Sequence, residues 1–321
     1  MKNIIIYLII LMLLVFAIPL IFTNIPVQET SSAPEVIDDS SYSTIRLYHT
    51  SDGSVEELNM NEYLYGVVAG EMPAIYELEA LKAQAIVART YTIYQIKNGS
   101  KHENADICDS SLCCQAWISK EKRFARWEDG KQDEYWNKIV EAVSSTNKKY
   151  ITYNGEPINA FFHSNSGGKT ELASNVWGGS LPYLKVVETS GEEAYSAYSS
   201  EVTLSKDELI VKMRENYNDF EINFKEPEPI KILSYTESGR VKDIKIGTKE
   251  ISGVEARKVF GLKSNNFTVE INGDNIKFSV IGYGHGVGLS QSGSDVLAKQ
   301  GYLAEDIIKY YFNNVEISEC N

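Results

Sequence analysis

Glu71 is a carboxyl that could serve acid–base chemistry or lie at the surface as an ordinary helix-end glutamate. It stands in Gly70-Glu71-Met72-Pro73-Ala74, where Gly70 and Pro73 interrupt helical geometry and predict a bend that can aim a side chain into a cleft. Apolar neighbours on such a bend desolvate a carboxyl and raise its pKa, as proton transfer near neutral pH requires. A second constellation is His102-x5-Cys108-x5-Cys114, with Cys113 beside the last member and Cys320 near the end of the chain. Thiolates and an imidazole suit a zinc ion, whereas the same cysteines in an oxidising compartment would form a disulfide. Spacing alone leaves both open, and Cys113 can stand in for Cys114.

Two histidines lie in Ser/Gly-rich segments. His163 follows Phe161-Phe162 and precedes Ser164, and His285 sits in Gly284-His285-Gly286, where glycines let backbone approach a ligand closely. Tyr283, Ser290 and Gln291 offer hydroxyl and amide groups for polar contacts, and the four tryptophans, Trp117, Trp127, Trp136 and Trp177, could stack on a ligand's rings, although a packed core is the commoner use of tryptophan. Arg89 falls within Ala85-Ile86-Val87-Ala88-Arg89, where an unpaired guanidinium would be costly. There is no His-Glu-x-x-His pattern, which weakens a zinc-hydrolase reading.

The elements that must position these residues form an α+β body. Leu78, Leu81, Ala85, Ala88 and Thr92 recur at spacings of three and four, so a long buried helix is predicted over 79–95. Hairpins are predicted at 45–48 with 55–58, at 150–153 with 158–162 around Asn154-Gly155, and at 267–271 with 276–281 around Asn272-Gly273. Ser205 with Glu208 and Ser252 with Glu255 read as capping boxes opening short helices.

The chain has 321 residues, with 31 Lys+Arg against 44 Asp+Glu for a net charge of −13, which disfavours duplex nucleic acid as the main ligand. Its 43% hydrophobic content, with 20 Tyr and 11 Phe, suits a globular body. Residues 4–22 carry no charge and match a bilayer span, so a transmembrane anchor is expected there. Residues 1–3 would be cytoplasmic, 23–43 a flexible stalk and 44–321 an extracytoplasmic catalytic body. A cleaved signal peptide competes with the retained anchor.

Four blocks carry a resemblance: 70–74, 81–91, 161–171 and 282–293. In this order they resemble the stage II sporulation protein D family, whose domain is shared with amidase-enhancer proteins. The resemblance implies a peptidoglycan lytic transglycosylase that cuts glycan strands lacking stem peptides during forespore engulfment, anchored in the sporulation septum or engulfing membrane. It also implies that Glu71 is the catalytic acid–base and that Arg89, His163, Ser164, Tyr283, His285, Ser290 and Gln291 line the substrate groove. Zinc would be held by His102, Cys108 and Cys114, with Glu71 or a water as the fourth ligand. The implied partners are stage II sporulation protein P, an amidase, and stage II sporulation protein M. Two rival readings are a noncatalytic amidase enhancer and a zinc-dependent peptidoglycan amidase.

Overall fold

The structure is a computed structural model, described here over residues 42–320. The body is mixed α+β, as expected. Its described strands form small sheets of two or three strands, with helices packed between them. The 44–48 strand pairs antiparallel with 55–59 and parallel with Ile107–Cys108. Asn154 and Gly155 adopt φ of 53° and 81°, the geometry of a tight hairpin turn between Lys149–Tyr153 and Glu156–Pro157. The return strand is shorter than predicted. The chain leaves the sheet after Pro157, and Phe162–His163 instead pairs parallel with Leu289–Ser290.

Helix α1 spans Met60–Glu71 and is opened by a capping box between Asn59 and Glu62. Helix α2 spans Leu78–Asn98, three residues longer at its C-terminal end than predicted. From Ala80 to Ile93 nearly every α2 side chain is buried, including Gln84, Arg89, Thr90 and Thr92. A helix buried on all faces cannot show a strong amphipathic stripe, so its polar residues must find partners within the protein. Thr90 Oγ1 donates to Ile86 O and accepts from Ile151 N, which joins α2 to the 149–153 strand.

Arg89 is 2% exposed. Its guanidinium donates to Thr146 O at 2.7 Å and Lys149 O at 3.1 Å, and reaches Asn61 Oδ1 at 3.3 Å. Thr146 follows helix α3, Gln132–Ser144, by two residues, so Arg89 places positive charge against carbonyls at that helix's C-terminal end. Arg89, expected to contact substrate, therefore has these donors turned inward, onto backbone carbonyls and the Asn61 side chain.

Among the described residues no helix is long and apolar enough to cross a membrane. The longest, α2, is buried in protein and carries Glu79, Lys82, Arg89 and Lys97. This corrects the expectation for the described residues, in which neither a single-pass span nor the membrane placement drawn from it is supported. The segments 1–3 and 4–22, and all of 23–43 but its last two residues, lie outside the described residues.

The role of Arg89 generates a stability prediction. Arg89→Ala removes a buried guanidinium together with its bonds to Thr146 O and Lys149 O, and should cost about 2–4 kcal/mol in denaturant unfolding. Any activity lost should follow the folded fraction.

Candidate functional site

Helix α1 ends because Met72 precedes a proline and adopts an extended conformation, with φ −118° and ψ 143°. Gly70 does not break the helix, contrary to the sequence reading, and Glu71 is its last residue. The glycines of α1 serve a different purpose. A Cβ on Gly66 would lie 2.1 Å from Trp117 Nε1, and one on Gly70 would lie 3.1 Å from Ala116 O. Glycine at these positions lets the segment 115–118 lie flat on α1, where Ile118 N also donates to Gly66 O. Gln115, fully buried, fixes the segment from the other side through Tyr63 OH at 2.8 Å and Thr92 Oγ1 at 3.0 Å.

The result is a carboxyl held by a backbone donor. Ala116 N donates to Glu71 Oε1 at 2.5 Å, and the Gln291 side chain donates to the same carboxyl. Burial pushes Glu71 up from 4.5 to about 7, and these two donors only partly offset it. Gln291 is itself buried and lies within 3.5 Å of Gln84 Oε1 on α2. The site thus joins the end of α1, the middle of α2 and the start of helix α4, Gln291–Lys299.

The remaining expected groove residues separate into two groups. Ser164 lies on the Glu71 side, since its carbonyl accepts from both Ser292 N and Ser292 Oγ, one residue beyond Gln291. Tyr283 is 44% exposed and carries Lys263 Nζ 5.0 Å over its ring. Ser290, in contrast, is fully buried. It caps α4 through Gly293 N and gives its hydroxyl proton to Glu192 Oε1.

His163 is buried, with Nδ1 bonded to Val287 O at 3.1 Å, and burial keeps it well below the ordinary histidine range. His285 accepts from Val287 N at 3.0 Å and packs among Phe161, Trp177 and His163. Burial, with Arg257 and Arg240 nearby, lowers it to about 3, so both rings are neutral. The glycines around His285 hold protein close and do not open room for a ligand. A Cβ on Gly286 would lie 2.6 Å from the Arg240 guanidinium, and one on Gly288 would lie 2.1 Å from Phe161 O.

Sequence reasoning missed the charged groups beneath these loops. Glu171, Glu192 and Arg240 are each at most 1% exposed. Glu192 Oε2 accepts from Ser166 N, Ser166 Oγ and Thr189 Oγ1. Glu171 accepts from Leu172 N, Asn175 Nδ2, Thr236 Oγ1 and Ser238 Oγ. Arg240 donates to Ser166 O at 2.6 Å and Lys169 O at 2.9 Å. Only the density of Ser, Thr and Gly in 163–170 hinted that buried charge needed small donors. Of the four tryptophans, Trp177 is exposed, at 51%, while the others pack against the core.

The Cys/His constellation is also assembled. One ligand atom from each of His102, Cys108, Cys113 and Cys114 lies within 4.8 Å of the others. All four cysteines are free thiols in this structure. Burial pushes the Cys114 thiol up to about 12, and a thiolate there needs a cation against it. Glu71 is not in this group, although Ala116, its donor, follows Cys114 by two residues.

A family model described as stage II sporulation protein matches residues 48–153. The chain is 35% identical over 301 residues to stage II sporulation protein D of Bacillus subtilis (strain 168), covering 93% of this chain and 85% of that protein. It is 34% identical over 299 residues to the protein of the same name in Bacillus amyloliquefaciens, covering 92% and 84%. It is also 27% identical over 302 residues to the amidase enhancer of Bacillus subtilis (strain 168), covering 78% of this chain and 39% of that protein.

A pH-dependent stability follows from Glu71. Below 4.5 folded and unfolded states both hold its proton, and between 4.5 and about 7 only the folded state does. The stabilisation is therefore full below 4.5 and lost as pH rises through 7. Glu71→Gln escapes that loss and should gain on the parent protein by about 2–3 kcal/mol between pH 4.5 and 7.5, read from urea unfolding across that range.

Proposed function

The chain belongs to the stage II sporulation protein D family, a sporulation family to which the amidase enhancer is related, and we propose that it is a peptidoglycan lytic transglycosylase. The observation that carries this reading is the desolvated Glu71 carboxyl held by one backbone N–H. Glu71 titrates near neutrality, and the influences on it are burial, the Ala116 N–H and the Gln291 amide, with no second carboxylate among them. Ordinary glycoside hydrolysis needs two carboxyl groups flanking the scissile bond. A transglycosylase needs one, because the muramic acid 6-hydroxyl of the substrate is the nucleophile.

In this mechanism protonated Glu71 gives its proton to the glycosidic oxygen as the bond to the muramic C1 breaks. The resulting carboxylate then accepts the proton of the 6-hydroxyl as that oxygen attacks C1 and closes a 1,6-anhydro ring. The proton lost in the first half is recovered in the second, and no water is consumed. Ala116 N and Gln291 steady the carboxylate between the two transfers, which keeps its basicity moderate. Of the expected groove residues, Ser164 and the exposed Tyr283 are the ones assigned here to sugar hydroxyls.

The substrate is peptidoglycan glycan, and the reading favours strands whose stem peptides have been removed. An amidase such as stage II sporulation protein P would then act before this enzyme.

Glu71→Gln should lower strand cleavage at least about 100-fold while glycan binding persists, since the amide keeps shape and polarity but carries no exchangeable acid proton. Parent activity should fall as pH rises above about 7, where Glu71 loses its proton. Mass analysis of the products should find 1,6-anhydro-muramic ends. Free reducing ends would indicate a hydrolase, and stimulation of an added amidase without cleavage would indicate an enhancer.

A further inference from the structure

The geometry points to Cys113 as the residue that completes a four-ligand metal site, which we infer leaves Glu71 outside the metal's coordination. The donor set is one imidazole and three thiols, a combination that selects zinc or a similarly soft cation over calcium or magnesium. The three separations among His102, Cys113 and Cys114 match edges of a tetrahedron around such an ion. With Zn–S near 2.3 Å and Zn–N near 2.0–2.1 Å, tetrahedral edges come to about 3.8 Å between sulfurs and about 3.6 Å between sulfur and nitrogen. The two adjacent sulfurs, Cys113 Sγ and Cys114 Sγ, lie 3.8 Å apart. His102 Nε2 lies 3.7 Å from Cys113 Sγ and 3.8 Å from Cys114 Sγ. Cys108 Sγ is the fourth vertex, inside the 4.8 Å group.

Adjacent residues rarely face one site, and here a turn makes it possible. Both Cys113 N and Cys114 N donate to Ser110 O, which folds the backbone so that the two sulfurs converge while Leu112 is driven into solvent at 98% exposure. The other two ligands are held from opposite sides. Cys108 pairs in parallel with Tyr48 at the sheet edge, and His102 stacks on the Tyr48 ring at 5.2 Å. Glu71, by contrast, has its carboxyl occupied by Ala116 N and Gln291.

A site closed by four protein ligands has no open position for substrate or water, which is the pattern of structural metals. Its part at the candidate active site is then positional. The ion would fix the loop 102–114, and Ala116, two residues further on, carries the N–H that holds Glu71. This resolves a conflict in the family-based expectation, because a carboxylate bound to zinc could not also carry the proton that transglycosylation needs. The positional role rests on the proposed function, whereas the ligand assignment does not.

The test reads metal and not cleavage. Purified parent protein, Cys113→Ser and Glu71→Gln are each assayed for zinc content and zinc affinity, and each is reloaded with cobalt(II) for its absorption spectrum. Circular dichroism checks that each remains folded. Parent protein is expected to bind one zinc per chain. Cys113→Ser should weaken zinc affinity at least about 100-fold and lower the cobalt–thiolate charge-transfer band by about a third, as three thiolates become two. Glu71→Gln should keep the parent's zinc content and cobalt spectrum. Loss of zinc from Glu71→Gln would overturn the assignment, as would a Cys113→Ser protein with unchanged affinity and spectrum, or a metal-free parent protein. A strand-cleavage failure with these metal results intact would count against the proposed function alone.

Discussion

The backbone N–H of Ala116 against the Glu71 carboxyl is the contact on which the arrangement of the candidate site depends. One N–H donor would ordinarily hold a carboxylate ionised, but here burial outweighs it and the group titrates near neutrality. That balance exists only because the 115–118 segment lies flat on α1. Gly66 and Gly70 permit the approach sterically, and the buried amide of Gln115 fixes the segment's height above α2. A side chain at either glycine would lift the segment and lengthen the bond to Glu71.

The other wall of the site is built from buried charge. Ser290 and Gln291 reach their places because the chain pairs Leu289–Ser290 with Phe162–His163, and the loops around this short parallel ladder are tied down by Glu171, Glu192 and Arg240. Burying three charged groups is expensive unless each is fully hydrogen-bonded, and the small residues of 164–170 supply donors and acceptors without bulk. Serine, threonine and glycine in these loops therefore serve the interior. This is also why His163 and Ser290, which look like ligand-facing residues in one dimension, are turned into protein.

Arg89 illustrates the same economy on the opposite face of α2. A guanidinium in a helix buried on every side can be retained only where several carbonyls converge, and the end of α3 provides them. Loss of function on changing such a residue need not mean that it touches substrate.

What the sequence determined by itself is what is decided within a few residues. The period of α2, the Asn154-Gly155 turn, the capping boxes at Ser205 and Ser252 and the termination of α1 at Pro73 depend on local backbone sterics and neighbouring side chains, and each is present in the fold. The clustering of His102, Cys108 and Cys114 was expected from the family resemblance, since spacing alone left a disulfide open. Tertiary structure decided the contacts between distant segments. Glu71 meets a donor 45 residues away, and Ser290 meets a carboxylate 98 residues away. It also decided that Cys113 joins the cluster alongside Cys114 and that Arg89 faces inward. Such outcomes depend on which surfaces the packed core brings together, and residue type and spacing do not encode that separately from the whole chain.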